Sequence, residues 1–118
     1  MKAYTDKEQS KKLAEILPPE SADNVIVLFG DREGTKTVVM PKETLDIIKT
    51  PFADIRKTTM CWSIAALLDT LTNYQLQTHD DGIGLLCSCK GKFNIVTAEN
   101  PVDACYELIL KLHELNLL

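Results

Sequence analysis

The chain lacks the sequence features that mark membrane-spanning, secreted and strongly basic proteins. No apolar run approaches the roughly 20 residues needed to cross a bilayer, and the N-terminal residues lack the apolar segment of a secretory signal. The formal net charge is −4, and residues 1–60 hold ten acidic and ten basic side chains while residues 61–118 hold seven and three. The lack of a membrane span and of a secretory signal predicts a cytoplasmic protein. Because neither half of the chain has a basic stripe, we do not expect it to bind nucleic acid or a membrane through charge.

Cysteine pairs with the spacing of a structural zinc site are absent. The four cysteines of a cytoplasmic chain are expected to be reduced thiols. One residue separates Cys87 from Cys89, whereas structural zinc sites usually place two to four residues between neighbouring ligands. Cys61 and Cys105 are isolated in the sequence. The pattern therefore predicts thiols packed in the core, with no metal and no cofactor.

Motifs of catalysis are also missing. No serine lies in a G-x-S-x-G context, and residues 30–34 and 81–84 lack the lysine of a P-loop and the fingerprint of a dinucleotide site. No catalytic residue is predicted. His79, Asp80 and Asp81 form a polar group suited to acid/base chemistry or a weak cation site, although a turn also favours aspartate for backbone reasons alone.

The clearest pattern present is that of a three-stranded antiparallel meander formed by residues 74–79, 82–90 and 93–97. An Asp-Gly pair between alternating residues is typical of a hairpin, which places Asp81 and Gly82 at the centre of the first turn. The resulting register pairs Asp80 with Ile83, Thr78 with Leu85, Leu76 with Cys87, and Tyr74 with Cys89. These pairs create one apolar face, which we expect to meet the core.

The second turn, around Gly91, allows two registers. A three-residue loop is preferred because it keeps the same face apolar: it sets Cys89 opposite Phe93, Cys87 opposite Ile95 and Leu85 opposite Thr97. A two-residue loop instead brings Asn94 opposite Cys87, and a slip of one residue turns every side chain to the other face. The opposite face, made of residues 75, 77, 79, 84, 86, 88, 94 and 96, is mixed and mostly polar and should meet water or a partner.

The first half of the chain is predicted to contain two helices and a hairpin. A capping box of Thr5 and Glu8 begins the first helix, whose apolar positions are 13, 14, 16 and 17 and which ends before Pro18. Residues 25–29 and 35–40 form a hairpin, and the first of these strands, apolar throughout, should lie inside the sheet. Pro41 begins a short helix that ends before Pro51, and residues 52–59 form a connection.

Two further helices are predicted in the second half. Ser63 caps a helix that ends near Leu71, and Trp62 should lie in the core with its indole N–H bonded to a carbonyl. Asn100 caps the last helix, whose core stripe is Val102, Cys105, Leu108, Ile109 and Leu112. Apolar residues outside that stripe leave two alternatives, a helix wedged between two layers or a helix with a self-association surface.

Three stretches resemble a known group of proteins. They are residues 3–17 with Ala22 and Asp23, residues 61–68 (Cys-Trp-Ser-Ile-Ala-Ala-Leu-Leu), and residues 101–118, which begin Pro-Val-Asp-Ala-Cys-Tyr-Glu-Leu-Ile-Leu. Together, roughly 50 of the 118 residues resemble small uncharacterised proteins of gut anaerobic bacteria, often encoded near prophage or other mobile elements. The resemblance implies a bacterial cytoplasmic protein of mobile-element origin. It implies no site residues, because the group has no assigned activity.

These patterns predict one α+β domain over residues 1–118, a small antiparallel sheet whose three-stranded C-terminal meander packs against helices. The predicted function is that of a non-enzymatic protein-interaction or accessory module, homo-oligomeric or bound to a protein partner through a sheet edge or the last helix. The alternative is a small enzyme or ligand-binding domain with a site near His79, Asp80 and Asp81. A third hypothesis, which the net charge disfavours, is nucleic-acid binding through a basic patch of Lys7, Lys11, Lys12, Arg32, Arg56 and Lys57.

Overall fold

The computed structural model describes residues 2–31, 34–46, 53–71, 73–89 and 91–118. Within these residues the chain has three α-helices and two three-stranded antiparallel sheets, which confirms the predicted α+β class. It divides into an N-terminal unit, Asp6–Trp62, and a C-terminal unit, Met1–Thr5 with Ser63–Leu118. The prediction of a single domain stays a prediction. No helix among the described residues is long and apolar enough to cross a membrane.

The N-terminal unit combines one α-helix with one sheet. Its elements are α1 (Lys7–Ala14), β1 (Asn24–Asp31), β2 (Gly34–Pro41) and β3 (Ala53–Cys61), with 3-10 turns at Pro19–Ser21 and Lys42–Asp46. The strand order is β2-β1-β3, and α1 packs against β3. Val25, Ile26 and Val27 are buried in succession, so both faces of β1 are covered. The predicted hairpin and the central place of its first strand are therefore confirmed.

Helix α1 begins one residue later than predicted. The Asp6 carboxylate accepts from the backbone N–H of Gln9 at 2.8 Å, and the Gln9 side chain accepts from the backbone N–H of Asp6 at 3.2 Å. The capping box of Thr5 and Glu8 is wrong by one position, because both pairs satisfy the same sequence pattern. The two candidate capping residues differ in their burial, since Thr5 is buried whereas Asp6 is exposed. The helix ends before Pro18, as predicted.

One other prediction for the N-terminal unit is wrong, and a second is correct only in part. Residues 52–59, predicted as a connection, lie largely in strand β3, which pairs antiparallel with β1. Charged residues and threonines in this segment leave no alternation of apolar and polar residues that would indicate a strand. Pairing with β1 therefore decides the conformation. The short helix predicted to begin at Pro41 begins one residue later and is the 3-10 turn Lys42–Asp46, whereas Pro41 itself ends β2 opposite Asn24, a place where an edge strand tolerates proline. Ile47 and Ile48 of the predicted helix lie outside the described residues.

Trp62 ends the N-terminal unit and is fully buried. Its indole Nε1 donates to Ser21 Oγ at 2.9 Å, and the Ser21 hydroxyl donates to the carbonyl of Pro18 at 2.6 Å. The predicted core position is confirmed. The acceptor is a hydroxyl oxygen rather than the expected carbonyl, and the 3-10 turn after Pro18 is what brings that hydroxyl to the indole.

The C-terminal unit contains the predicted meander. Its elements are α2 (Ile64–Asp69), β4 (Tyr74–His79), β5 (Gly82–Cys89), β6 (Lys92–Ala98) and α3 (Pro101–Glu114). The strand order β4-β5-β6 confirms the meander, and α3 packs against β5, β6 and α2. Ser63 caps α2 as predicted, because its hydroxyl accepts from the backbone N–H of Ala66 at 3.2 Å.

Helix α3 contributes a continuous buried stripe to the core of this unit. Asn100 caps it by accepting from the backbone N–H of Asp103 at 2.9 Å, and the Asp103 carboxylate also pairs with Lys2 Nζ at 2.8 Å. The predicted stripe is confirmed as buried: Val102, Cys105, Leu108, Ile109 and Leu112. Helix α3 contacts both the sheet, through β5 and β6, and α2, which agrees with the wedged alternative.

The turn between β4 and β5 does not have the predicted centre. His79 pairs with Gly82, so Asp80 and Asp81 form the loop, and neither has a positive φ. Because the pairing shifts by two residues, every side chain keeps its predicted face. On that face Leu85 is buried as expected, but every residue of β4 is exposed, since α3 packs on the other two strands.

Gly82 is needed for a close approach rather than for the turn centre. Its φ is +154°, and a Cβ at this position would lie 2.5 Å from the backbone oxygen of Ala98. Glycine lets β5 begin directly against the end of β6. The Asp-Gly signal therefore located the hairpin correctly but assigned the glycine the wrong role.

Candidate functional site

The register of β5 with β6 decides which side chains of the meander face outward. Cys89 pairs with Lys92 and Cys87 with Asn94, so a two-residue loop joins the strands. Gly91, in that loop, has a φ of +76°, a backbone conformation that glycine adopts without strain. The preferred three-residue loop is therefore wrong, and the register with Asn94 opposite Cys87 is the one adopted.

This register exposes two large apolar side chains and buries a polar one. Phe93 is 74% exposed and Ile95 is 62% exposed, although both were predicted to lie on the apolar face that meets the core. Asn94, between them, is only 7% exposed, and its Nδ2 has no hydrogen-bond partner among the residues that the structure describes. A one-residue slip has exchanged the two faces of β6, which is the consequence of a side-chain period of two.

The outward side of the meander, here called the open face, follows from the two registers and the alternation of side chains along a strand. Its members are Gln75, Gln77, His79, Gly84, Leu86, Ser88, Phe93, Ile95 and Thr97. None of them is Asp, Glu, Lys or Arg. Leu86 lies opposite Ile95 in the pairing, so an aliphatic pair occupies the middle of the face, with Phe93 beside it.

The polar cluster predicted at the β4–β5 turn lies at one end of this face. His79, Asp80 and Asp81 are all exposed. Next to them is a hollow of about 240 Å³ lined by His79, Asp81, Gly82, Thr97, Ala98 and Glu99. The His79 imidazole lies across Gly84, where a Cβ would be 2.8 Å from Nε2. Gly84 thus makes room for the ring on the open face.

The hollow does not offer the ligands of a metal centre. Among the described residues, no group of three or more His, Cys, Asp or Glu side chains could hold a metal ion. The basic patch of the nucleic-acid hypothesis is not assembled within the described part either. Lys7, Lys11 and Lys12 are exposed on α1, whereas Arg32 and the side chains of Arg56 and Lys57 lie outside it.

Three cysteines are free thiols packed in the interior, as predicted: Cys61, Cys87 and Cys105. The side chain of Cys89 lies outside the described part of the chain. Burial, with a smaller contribution from the negative charge of Asp23, raises the pKa of Cys61 to about 12. Burial alone raises the pKa of Cys105 to about 11. These thiols are protonated at neutral pH, the state of a structural rather than a reactive cysteine.

The raised thiol pKa values predict a loss of stability in alkali. Between the ordinary pKa of 9.0 and about 11, the unfolded chain loses the Cys105 proton while the folded chain keeps it. The free energy of unfolding should therefore be unaffected by this group below pH 9 and should fall above it, by up to about 1.4 kcal/mol per pH unit. Urea unfolding measured between about pH 8 and about pH 10.5 tests this sign.

The matched comparison is Cys105→Ala, because lysine and tyrosine side chains also titrate in this range. The variant should be less stable at neutral pH but should lose less stability than the wild type as the pH rises. Equal slopes in the two proteins would show that Cys105 does not hold its proton in the folded state.

Sequence reasoning missed the open face because it chose between two loop lengths by the apolarity of the strand pairs. The informative signal was Gly91, whose freedom to adopt a positive φ suits a two-residue turn. Residue pattern alone favoured burying Phe93 and Ile95 over burying Asn94.

No family model matches the chain, and neither the curated proteins nor the solved structures contain a significant match to it.

Proposed function

We propose that this protein is a non-enzymatic interaction module that binds a protein partner through the open face. The observation that carries the proposal is the exposure of Phe93 and Ile95 at adjacent outward positions of β6. Leaving a large apolar side chain in water forgoes about 1.5–3 kcal/mol that burial would provide. A partner covering both side chains together with Leu86 would recover that free energy.

The shape of the face suits a protein better than a small molecule. Ligand sites are concave and enclose most of the ligand, whereas a three-stranded pleated face is broad and open. The last helix, the other surface considered from the sequence, has its apolar stripe covered within the C-terminal unit. The proposal places the protein in the cytoplasm, the compartment that suits free cysteines.

Photo-crosslinking from the open face tests this proposal. A photoreactive benzoylphenylalanine replaces Phe93, and in the control protein it replaces Leu115, which is 51% exposed near the end of α3. In cells expressing the protein, position 93 should yield one discrete crosslinked species and position 115 should not. The adduct should disappear with Ile95→Thr and should form again from the purified components.

Equal crosslinking from the two positions, or none from position 93, would contradict the proposal. The Ile95→Thr change is suited to this purpose because threonine retains a high strand propensity. The variant should therefore keep the fold while removing apolar contact area.

A further inference from the structure

The charge of the open face narrows the class of partner. The chain carries a net charge of −4, yet no member of the face is Asp, Glu, Lys or Arg. A partner that is selected by complementary charges would find no charged side chains to pair with on the open face. Two copies of this chain, by contrast, can meet at this face without bringing like charges together. Contacts between identical subunits are also more apolar than transient contacts between different proteins.

The arrangement of side chains on the face is self-complementary. Its middle row is Gln75, Leu86 and Ile95, the row on one side is Ser88 and Phe93, and the row on the other side is Gln77, Gly84 and Thr97. Consider two faces stacked about a two-fold axis that crosses the strands at the middle row. Leu86 and Ile95 then meet their own copies, and the bulky Phe93 of β6 meets the small Thr97 of the other β6.

We infer that the partner on the open face is a second copy of this chain, packed sheet against sheet in this two-fold arrangement. The inference rests on the proposed function, since it names the partner of the same face. Antiparallel sheets pack in this manner in β-sandwiches, with side chains of the two inner faces interdigitating. An isologous contact of this kind closes on itself and stops at the dimer.

The available area places the dimer among small interfaces. Strands about 4.8 Å apart that rise about 3.4 Å per residue give the face about 300 Å² in projection, or roughly 500 Å² of accessible surface once the side chains are included. Two faces then bury roughly 1,000 Å², which is the lower bound for a specific interface. Contacts of this small size belong to weak, transient complexes, so association should be sought at micromolar concentrations, on the order of 10 µM and above.

Sedimentation equilibrium tests the dimer. The wild-type chain should pass from monomer to dimer between about 1 and 500 µM, and the double substitution Phe93→Thr with Ile95→Thr should weaken association at least ~30-fold. Leu115→Ser, which removes an exposed apolar side chain away from the face, should associate like the wild type. A wild type that stays monomeric up to about 500 µM, or a double variant that associates equally well, would overturn the inference.

Engineered cysteines test the two-fold arrangement. Ile95→Cys should form a disulfide-linked dimer by itself under oxidation, because residues at the axis meet their own copies. Phe93→Cys should crosslink poorly with itself and readily with Thr97→Cys when the two variants are mixed. The wild type, with its native cysteines, measures background. Efficient self-crosslinking of Phe93→Cys with none from Ile95→Cys would contradict this arrangement.

The two proposals fail in different ways. If photo-crosslinking from position 93 captures a different protein while the purified chain stays monomeric, the second copy is the wrong partner and the interaction module stands. If position 93 captures nothing and the chain stays monomeric, both proposals fall.

Discussion

Replacing Trp62 with alanine is expected to lower the free energy of unfolding by about 3–5 kcal/mol. The indole is fully buried and its Nε1 donates to Ser21 Oγ, so the substitution removes a large buried surface, a cavity-filling ring and a hydrogen bond together. Urea unfolding followed by far-ultraviolet circular dichroism measures the change, since the variant has no tryptophan left to report by fluorescence.

Two milder substitutions separate these contributions. Trp62→Phe keeps most of the ring and should cost about 1–2 kcal/mol. Ser21→Ala leaves the indole buried but removes the acceptor of its N–H, and should cost about 1–3 kcal/mol. A Trp62→Ala protein that unfolds at the same urea concentration as the wild type would show that the indole is not packed in the interior.

Substitutions at Asn94 should shift stability in opposite directions. Asn94→Val is expected to raise the free energy of unfolding by about 1–3 kcal/mol, because it removes a buried amide whose Nδ2 has no partner in the described part of the chain. Asn94→Asp is expected to lower it by about 3–5 kcal/mol at neutral pH, because it places a carboxylate where the side chain is only 7% exposed. Urea unfolding of both variants beside the wild type measures the difference.

The same experiment distinguishes the two registers of β6. With a three-residue loop, Asn94 would lie on the outward face, and both substitutions would change stability by no more than about 0.5 kcal/mol. The matched control is the double substitution Phe93→Thr with Ile95→Thr. It should cost less than about 1 kcal/mol if these residues are exposed, and about 3 kcal/mol or more if they are buried.

The parts of the fold that follow from neighbouring residues could be predicted. Ser63 and Asn100 cap their helices because a short polar side chain satisfies free N–H groups within the same turn. The central strand β1 follows from an apolar run too short for a helix and too continuous for a half-exposed strand. Even the error at α1 is local, since two overlapping capping boxes differ by one residue.

The parts that depend on distant pairing could not be predicted. Strand β3 has no readable period, and its conformation comes from hydrogen bonds to β1, whose residues lie far away in the sequence. The face on which Phe93, Asn94 and Ile95 lie depends on a loop that differs by one residue between two plausible registers. The candidate site was therefore missed although every one of its residues was read correctly as part of a strand.

The amino-acid sequence by itself determined the class of this protein, the places of its α-helices, and a C-terminal meander with Cys87 turned inward, because capping, proline stops and side-chain alternation act over a few residues. Only the tertiary structure decided the register of β6, the pairing of β3 and the role of Gly82. Those features depend on which backbone groups meet across space, and residue pattern constrains that choice weakly where two registers differ by a single step.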